Sequence, residues 1–400
     1  MPDLRDLLPH SRTDSEQNVI LALMIRQGNQ ADLARLCGIS QPSVTTALKK
    51  LEALGIVRRT EEGREKLSRL ERANGVAVGV ELGRQRSAVV ARRIDSPQEN
   101  PAREMLKFGA KDGSESWSTK IVEEIRYVVD QLNESFDDVA TVGLAIPRMV
   151  HPITGRLTPP MLPPWTQDAD PARMLRDRLR AGAPDGSLRA DVEVKLDNDA
   201  NLGALAESVH ASPGAEILLF VKSSTGVGAG LVVGGKVIRG ASGVAAELGH
   251  LVVERHGDYC QCGGRGCLET VIGADALLRN VETALGKSPP AKPRDLDELV
   301  RQALAGDQLC RRVLSEAAMA LGLALGSVCN LLNPNVIVLG GGLAAAGDLV
   351  LDNCRASIRR TALAAAVDSG AFELRASRLD HPAALGALIM GIQGTFGRRV

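Results

Sequence analysis

Apolar residues recur at helical spacing in three short runs near the start of the chain: Val19, Ile20, Leu23 and Met24; then Leu33 and Leu36; then Val44, Leu48 and Leu51. The spacing predicts three short helices between Asn18 and Leu54. The second and third are joined by Cys37-Gly38-Ile39-Ser40, in which Gly38 can end one helix in the left-handed conformation and Ser40 can cap the next. Pro42 fits the first turn of that helix, where amides lack helical partners. This is helix-turn-helix spacing, with Ile39 plugging the small core beneath the turn. After Leu54-Gly55-Ile56-Val57, the segment from Arg58 to Arg64 reads as a strand, a turn and a basic return, the pattern of a wing. Residues 64–74 are charged and helical in pattern and are expected to form a connector.

From Gly75 onward strands alternate with helices, which implies an α/β fold with largely parallel or mixed sheets. Gly75 to Val90 reads as a hairpin turning at Gly83-Arg84-Gln85-Arg86, and Phe220 to Val233 reads as another. One hairpin opening each half suggests a duplicated lobe with a cleft between the halves. Ala317 to Leu332 is the most apolar helical stretch, shorter than the ~20 residues that span a bilayer and interrupted by Ser327 and Asn330; a buried core helix is expected there, and no membrane partner. No basic segment leads into an apolar run at the N-terminus, so the expected compartment is the cytoplasm.

Charge and cysteine usage sharpen this picture. Lys plus Arg and Asp plus Glu both number 48, which argues against a chain coated in nucleic acid, yet residues 30–60 hold Arg35, Lys49, Lys50, Arg58 and Arg59 against Asp32 and Glu52. On the third helix Gln41, Ser43, Thr45, Thr46 and Lys49 can reach base edges or phosphates in a major groove, with Arg58 and Arg64 on phosphate. A three-helix packing module with a polar surface is the alternative. Of seven cysteines, Cys260, Cys262 and Cys267 crowd together while Cys37, Cys310, Cys329 and Cys354 lie in apolar sequence, so the cluster reads as a metal site and the others as core. In Leu196-Asp197-Asn198-Asp199-Ala200-Asn201 a strand gives way to a helix, and spacing alone favours a helix cap for Asp199.

Glu247-Leu248-Gly249-His250 followed by Cys260-Gln261-Cys262-Gly263-Gly264-Arg265-Gly266-Cys267-Leu268-Glu269-Thr270 carries a family resemblance. Over essentially its whole length the chain resembles the ROK family (repressors, open reading frames and sugar kinases), in particular the repressor branch with an N-terminal winged helix. The resemblance implies a winged helix-turn-helix followed by a duplicated actin-like, ribonuclease-H-like domain of sugar-kinase type. Its expected divisions are residues 1–63 for the DNA-binding unit, 64–74 for the linker and 75–400 for the sugar-binding domain, with one lobe of 75–190 plus the C-terminal helix 382–397 and another of 191–381. It also implies that His250, Cys260, Cys262 and Cys267 bind a structural Zn²⁺. These are soft or borderline ligands with glycines for tight turns, which suits a closed tetrahedral site; a reduced cysteine-rich loop is the metal-free alternative. It places Asn198, Asp199, Glu247, His250 and Glu269 around a sugar, with Asp199 at the position of the kinases' catalytic base.

The chain departs from the kinases where they hold phosphate. Their first loop resembles Asp-x-Gly-Gly-Thr, whereas this chain has Glu81-Leu82-Gly83-Arg84-Gln85: a longer carboxylate, an arginine for the second glycine, and no hydroxyl. Phosphoryl transfer depends on positioning, so ATP is not an expected cofactor. Ser224-Thr225-Gly226-Val227-Gly228 and Gly340-Gly341-Gly342 remain, as turn glycines or as nucleotide loops; Pro147-Arg148-Met149 lacks the family's glycine after the proline. The expected function is a sugar-responsive transcriptional repressor of carbohydrate metabolism that binds a double-stranded operator as a homodimer or homotetramer and senses a sugar or sugar phosphate. The alternative is an ATP-dependent, glucose-type sugar kinase with an appended DNA-binding module, its activity resting on Asp199.

Overall fold

The structure, a computed structural model, describes residues 14–25, 27–62, 65–71, 75–96, 101–157, 165, 170–182, 192–212, 214–286, 292–368 and 370–397. Two compact units result, one of Met1–Arg148, Gly155–Asn198 and Ala383–Val400, the other of Met149–Thr154 and Asp199–Pro382.

The first unit opens with α1 (Asp14–Ile25), α2 (Gln30–Cys37) and α3 (Gln41–Ala53). Val19, Leu23, Met24, Leu33, Val44, Leu48 and Leu51 are fully buried, so the apolar runs share one small core, while Leu36 is 36% exposed. Gly38 ends α2 at φ 64° and the Ser40 hydroxyl accepts from the Ser43 amide at 3.3 Å, as the turn chemistry requires. An antiparallel hairpin follows, β1 (Val57–Glu62) with β2 (Glu65–Leu70), paired from Val57–Leu70 to Glu62–Glu65. The stretch expected as a helical connector is thus mostly the second strand of the wing, and a boundary at residue 63 would cut the hairpin. Its charged residues suggest a helix, but Ser68 and Leu70 are buried while Leu67 and Arg69 between and beside them are half-buried, a period of two. Pairing with β1 satisfies backbone groups that so short a helix would not hold.

The rest of this unit is a sheet of order β5-β4-β3-β6-β7, built from β3 (Val76–Leu82), β4 (Ser87–Arg93), β5 (Ala102–Leu106), β6 (Val139–Ile146) and β7 (Glu193–Asn198), with α4 (Ser114–Asp130) and α5 (Pro171–Gly182) between strands. β3, β4 and β5 run antiparallel in sequence, and β3, β6 and β7 are parallel. Because β7 pairs with β6, the first lobe continues to Asn198, beyond the expected end at 190. The C-terminal helix, Pro382–Gly397, lies hard against the sheet: a Cβ on Gly143 would sit 1.9 Å from the Ala387 carbonyl oxygen.

The second unit repeats the plan. It holds α6 (Asp199–Ala206), continued by a π turn at Glu207–Ala211, then β8 (Ile217–Ser223), β9 (Val227–Val233), β10 (Lys236–Val237), α7 (Leu268–Ile272), α8 (Ala274–Leu285), α9 (Leu296–Leu304), α10 (Gln308–Leu332), β11 (Val336–Gly340), α11 (Asp348–Thr361), α12 (Ala364–Val367) and β12 (Glu373–Ala376). Its sheet order is β10-β9-β8-β11-β12, with β8, β9 and β10 antiparallel and β8, β11 and β12 parallel, the same arrangement as in the first unit. Among the described residues α10 alone is long and apolar enough to cross a membrane, and 61% of that stretch is buried inside the protein. Leu314, Leu321 and Leu325 of α10 join Ile358 of α11 in the core, as expected for a core helix.

Candidate functional site

The histidine and the clustered cysteines meet. One ligand atom from each of His250, Cys260, Cys262 and Cys267 lies within 4.8 Å of all the others. Tetrahedral zinc, with Zn–S of about 2.3 Å and Zn–N of about 2.0 Å, requires sulfur atoms about 3.8 Å apart and sulfur and nitrogen about 3.6 Å apart. The Cys262 and Cys267 sulfurs are 3.7 Å apart, and Cys260 Sγ is 3.6 Å from His250 Nδ1. The loop closes because Gly266, at φ 71°, passes so near Glu254 that a Cβ would lie 1.6 Å from its carbonyl oxygen. The Gly264 amide donates to Cys262 Sγ at 3.4 Å and pulls that thiol below its ordinary value, toward the thiolate a metal needs. The set can hold a metal ion.

Carboxylates gather beside it in the second unit. Asp199 is the first residue of α6, at the end of the strand it follows, and is 6% exposed. Its Oδ2 accepts from Lys222 Nζ on β8 at 2.6 Å. Glu269 sits in the first turn of α7, directly after the last cysteine, and its Oε2 accepts from the Val227 amide at 2.9 Å. Burial, followed by the charges of Asp199 and Glu269, raises the Glu247 carboxyl to about 7. Glu247 Oε2 stands 4.0 Å from His250 Nε2, so the imidazole turns one nitrogen to the thiols and the other to this carboxylate. Asp199, Glu247, His250 and Glu269 are therefore brought together within one unit. Asn198 ends β7 in the other unit, where its Nδ2 donates to the Arg148 carbonyl at 3.1 Å. Sequence reasoning missed Lys222; the available signal was a lysine placed two residues beyond Phe220 in an otherwise apolar strand.

The segment compared with the kinases' first phosphate loop, Glu81 to Gln85, leads into a tight turn between β3 and β4. The Gly83 amide donates to the Arg86 carbonyl at 2.9 Å, the Ala110 amide to Gly83 at 2.9 Å and the Lys111 amide to Arg84 at 3.1 Å. Arg84 and Gln85 are exposed on this pinned backbone.

At the other end of the chain, Gln41, Thr46 and Lys49 are exposed on α3, while Ser43 and Thr45 are half-buried. The Thr45 and Thr46 hydroxyls donate to the Gln41 and Pro42 carbonyls at 2.9 and 3.1 Å, which fixes their rotamers with the oxygens on the helix surface. Arg58 is committed elsewhere: its Nε lies 3.9 Å from Glu71 and its Nη2 3.6 Å from Asp95, which Arg93 also approaches at 3.5 Å. Arg92, buried on β4, donates to the Met24 carbonyl of α1 at 3.4 Å, and burial pulls its guanidinium down to about 10. These arginines join the winged helices and hairpin to the sheet beside them; Arg58, expected on phosphate, lies here between two carboxylates with its side chain 34% exposed. Arg64 lies outside the described residues.

The family model described as ROK family matches residues 77–393. The chain belongs to the ROK family. A MarR family model matches residues 14–66 of this ROK protein, the stretch that forms the winged helix. A putative xylose repressor from Caldicellulosiruptor sp. (strain Rt8B.4) is 26% identical over 354 residues, covering 84% of each chain. A glucokinase from Halalkalibacterium halodurans is 30% identical over 275 residues, 66% of this chain and 80% of the enzyme. A solved ROK family transcriptional regulator, described as a homolog of the E. coli MLC protein, shares the fold over 97% of this chain and 99% of its own, with a TM-score of 0.72 at 19% identity.

Proposed function

We propose that this ROK protein is a sugar-responsive, DNA-binding transcriptional regulator, acting as a repressor in the cytoplasm. The observation that carries the reading is the union, in one chain, of a capped helix with an exposed polar face and a carboxylate cluster backed by a four-ligand metal knot. Likeness to a xylose repressor over most of both chains supports it. Gln41, Ser43, Thr45, Thr46 and Lys49 of α3 read the major groove of a duplex operator, and a homodimer or homotetramer engages two half-sites. A sugar or sugar phosphate is held by Asp199, Glu247, His250 and Glu269, with Asn198 adjoining. Zn²⁺ on His250, Cys260, Cys262 and Cys267 folds the loop that carries Glu247, His250 and Glu269, and ATP has no part.

Binding of the purified protein to the DNA upstream of its own gene, followed as salt is raised, tests the reading. Affinity should fall steeply with salt and change when D-xylose, D-glucose or a phosphorylated hexose is added. Salt-independent or absent DNA binding would remove it. Sugar-dependent ADP release abolished by Asp199→Ala would replace it with a kinase.

A further inference from the structure

The strand β8 delivers a cation to the residue that, in a phosphoryl-transfer enzyme of this fold, would take the proton. Phe220, fully buried, is wedged between α6 and β11: a Cβ on Gly203 would lie 2.4 Å from its ring, and one on Gly340 2.5 Å from it. Lys222 lies two positions further along the same strand, hence on the same face, and it pairs in register with Gly228 and Gly340. Its Nζ reaches Asp199 Oδ2 at 2.6 Å, with the two side chains only 17% and 9% exposed. Neither partner can drift far, because the helix start and the strand are locked to each other by the Phe220 wedge.

We propose that Lys222 is a positioning residue of the carbohydrate site, clamping Asp199 as a fixed, ion-paired acceptor for a sugar hydroxyl so that the sugar is bound without surrendering its proton. The inference rests on the sugar-sensing reading above and adds to it the device that separates binding from turnover. A charge-assisted hydrogen bond donated to a preset carboxylate is strong and directional, and a carboxylate released from its partner would swing or seek another donor.

The test is calorimetric titration of the full-length protein with D-xylose, D-glucose and D-glucose 6-phosphate. Lys222→Met should weaken the bound sugar by about tenfold or more, whereas Lys222→Arg, which keeps the charge, should stay within about fivefold. Asp199→Asn should cost as much as Lys222→Met, and the double variant no more than either alone, because the two act as one unit. General loosening of the fold would give neither the arginine rescue nor the missing additivity. If Lys222→Met does not fold, comparing Asp199→Asn with the double variant still decides, since neither carries the Asp199 carboxylate. Wild-type affinity in Lys222→Met, or losses that multiply in the double variant, overturns the role of Lys222 alone. No uptake of any of the probes by the wild-type protein overturns the sugar-sensing reading itself, and this inference with it.

Discussion

Replacing one metal ligand separates the proposed knot from an ordinary cysteine-rich loop, and Cys262→Ser is the cleanest choice. Cys260 and Cys267 are buried, so serine there would add a buried hydroxyl to whatever the metal contributes; Cys262 is exposed, and serine at that position costs little beyond the lost ligand. The separations of 3.6 and 3.7 Å leave no slack in a tetrahedron, and losing one thiolate removes a quarter of the coordination. Changes one shell out cost about 10–100-fold in metal affinity, so loss of a ligand should exceed about 100-fold. Glu247→Gln supplies the control: at 4.0 Å from His250 Nε2 its carboxylate makes no hydrogen bond, and the expected loss is about tenfold or less. The loop is cross-bonded through its backbone, the Val253 and Glu254 amides donating to the Gly266 carbonyl, but it buries little apolar surface, with Val252 61% and Tyr259 81% exposed. Chelation or Cys262→Ser should therefore speed amide exchange between residues 250 and 267 and weaken sugar binding through displacement of Glu269, while DNA affinity without sugar changes little. Zinc measured after dialysis against a chelator, competition with a chromogenic chelator and exchange by mass spectrometry supply the readouts. Wild-type metal affinity in Cys262→Ser, or equally slow exchange in metal-free and metal-loaded protein, refutes the argument.

Lys49→Ala should weaken binding to all duplexes alike and lower the slope of log affinity against log salt by about 1, the mark of one lost phosphate contact; an unchanged slope places Lys49 away from DNA. Arg58→Ala, whose guanidinium is bound to Glu71 and Asp95, should leave that slope unchanged and cost no more than about 1 kcal/mol in urea denaturation, since the side chain is 34% exposed; a slope lowered as in Lys49→Ala would return Arg58 to the DNA. Gly143→Ala must push the Ala387 carbonyl oxygen away from a Cβ placed 1.9 Å from it, and should destabilise the first unit by about 1–3 kcal/mol; wild-type stability would mean the C-terminal helix does not pack there.

What the sequence discloses about this protein depends on how far apart the cooperating residues lie. The metal knot, the α2–α3 turn and both opening hairpins are local, and their residue types at fixed offsets carry their meaning without a partner from elsewhere. The second wing strand reads as a charged helical connector for the same local reason, since its strand character depends on register with β1. The end of the first lobe was misplaced because the parallel pairing of β7 with β6 leaves no adjacent turn to mark it. Lys222 and Asp199 lie 23 residues apart, and they meet through the packing of α6 on β8 and β9, where Phe220 seats between two glycines.

That distinction bears on how a kinase scaffold becomes a sensor. The altered loop at Glu81 to Gln85 is a local change, and reverting it would restore at most a place for phosphate. The pair proposed for Lys222 and Asp199 would act at the sugar itself and is built into a buried strand, where a new side chain must fit the packing around Phe220 and Asp199. A loop can be repaired by a few substitutions at little cost to the fold. A clamped acceptor inside the core resists reversal, because removing its cation takes an ion-pair partner from a buried carboxylate. Restoring the phosphate loop in the wild-type background should therefore yield no sugar-dependent ADP release, and the combination with Lys222→Thr is where turnover should first appear; turnover from the repaired loop alone would show that Lys222 never restrained Asp199.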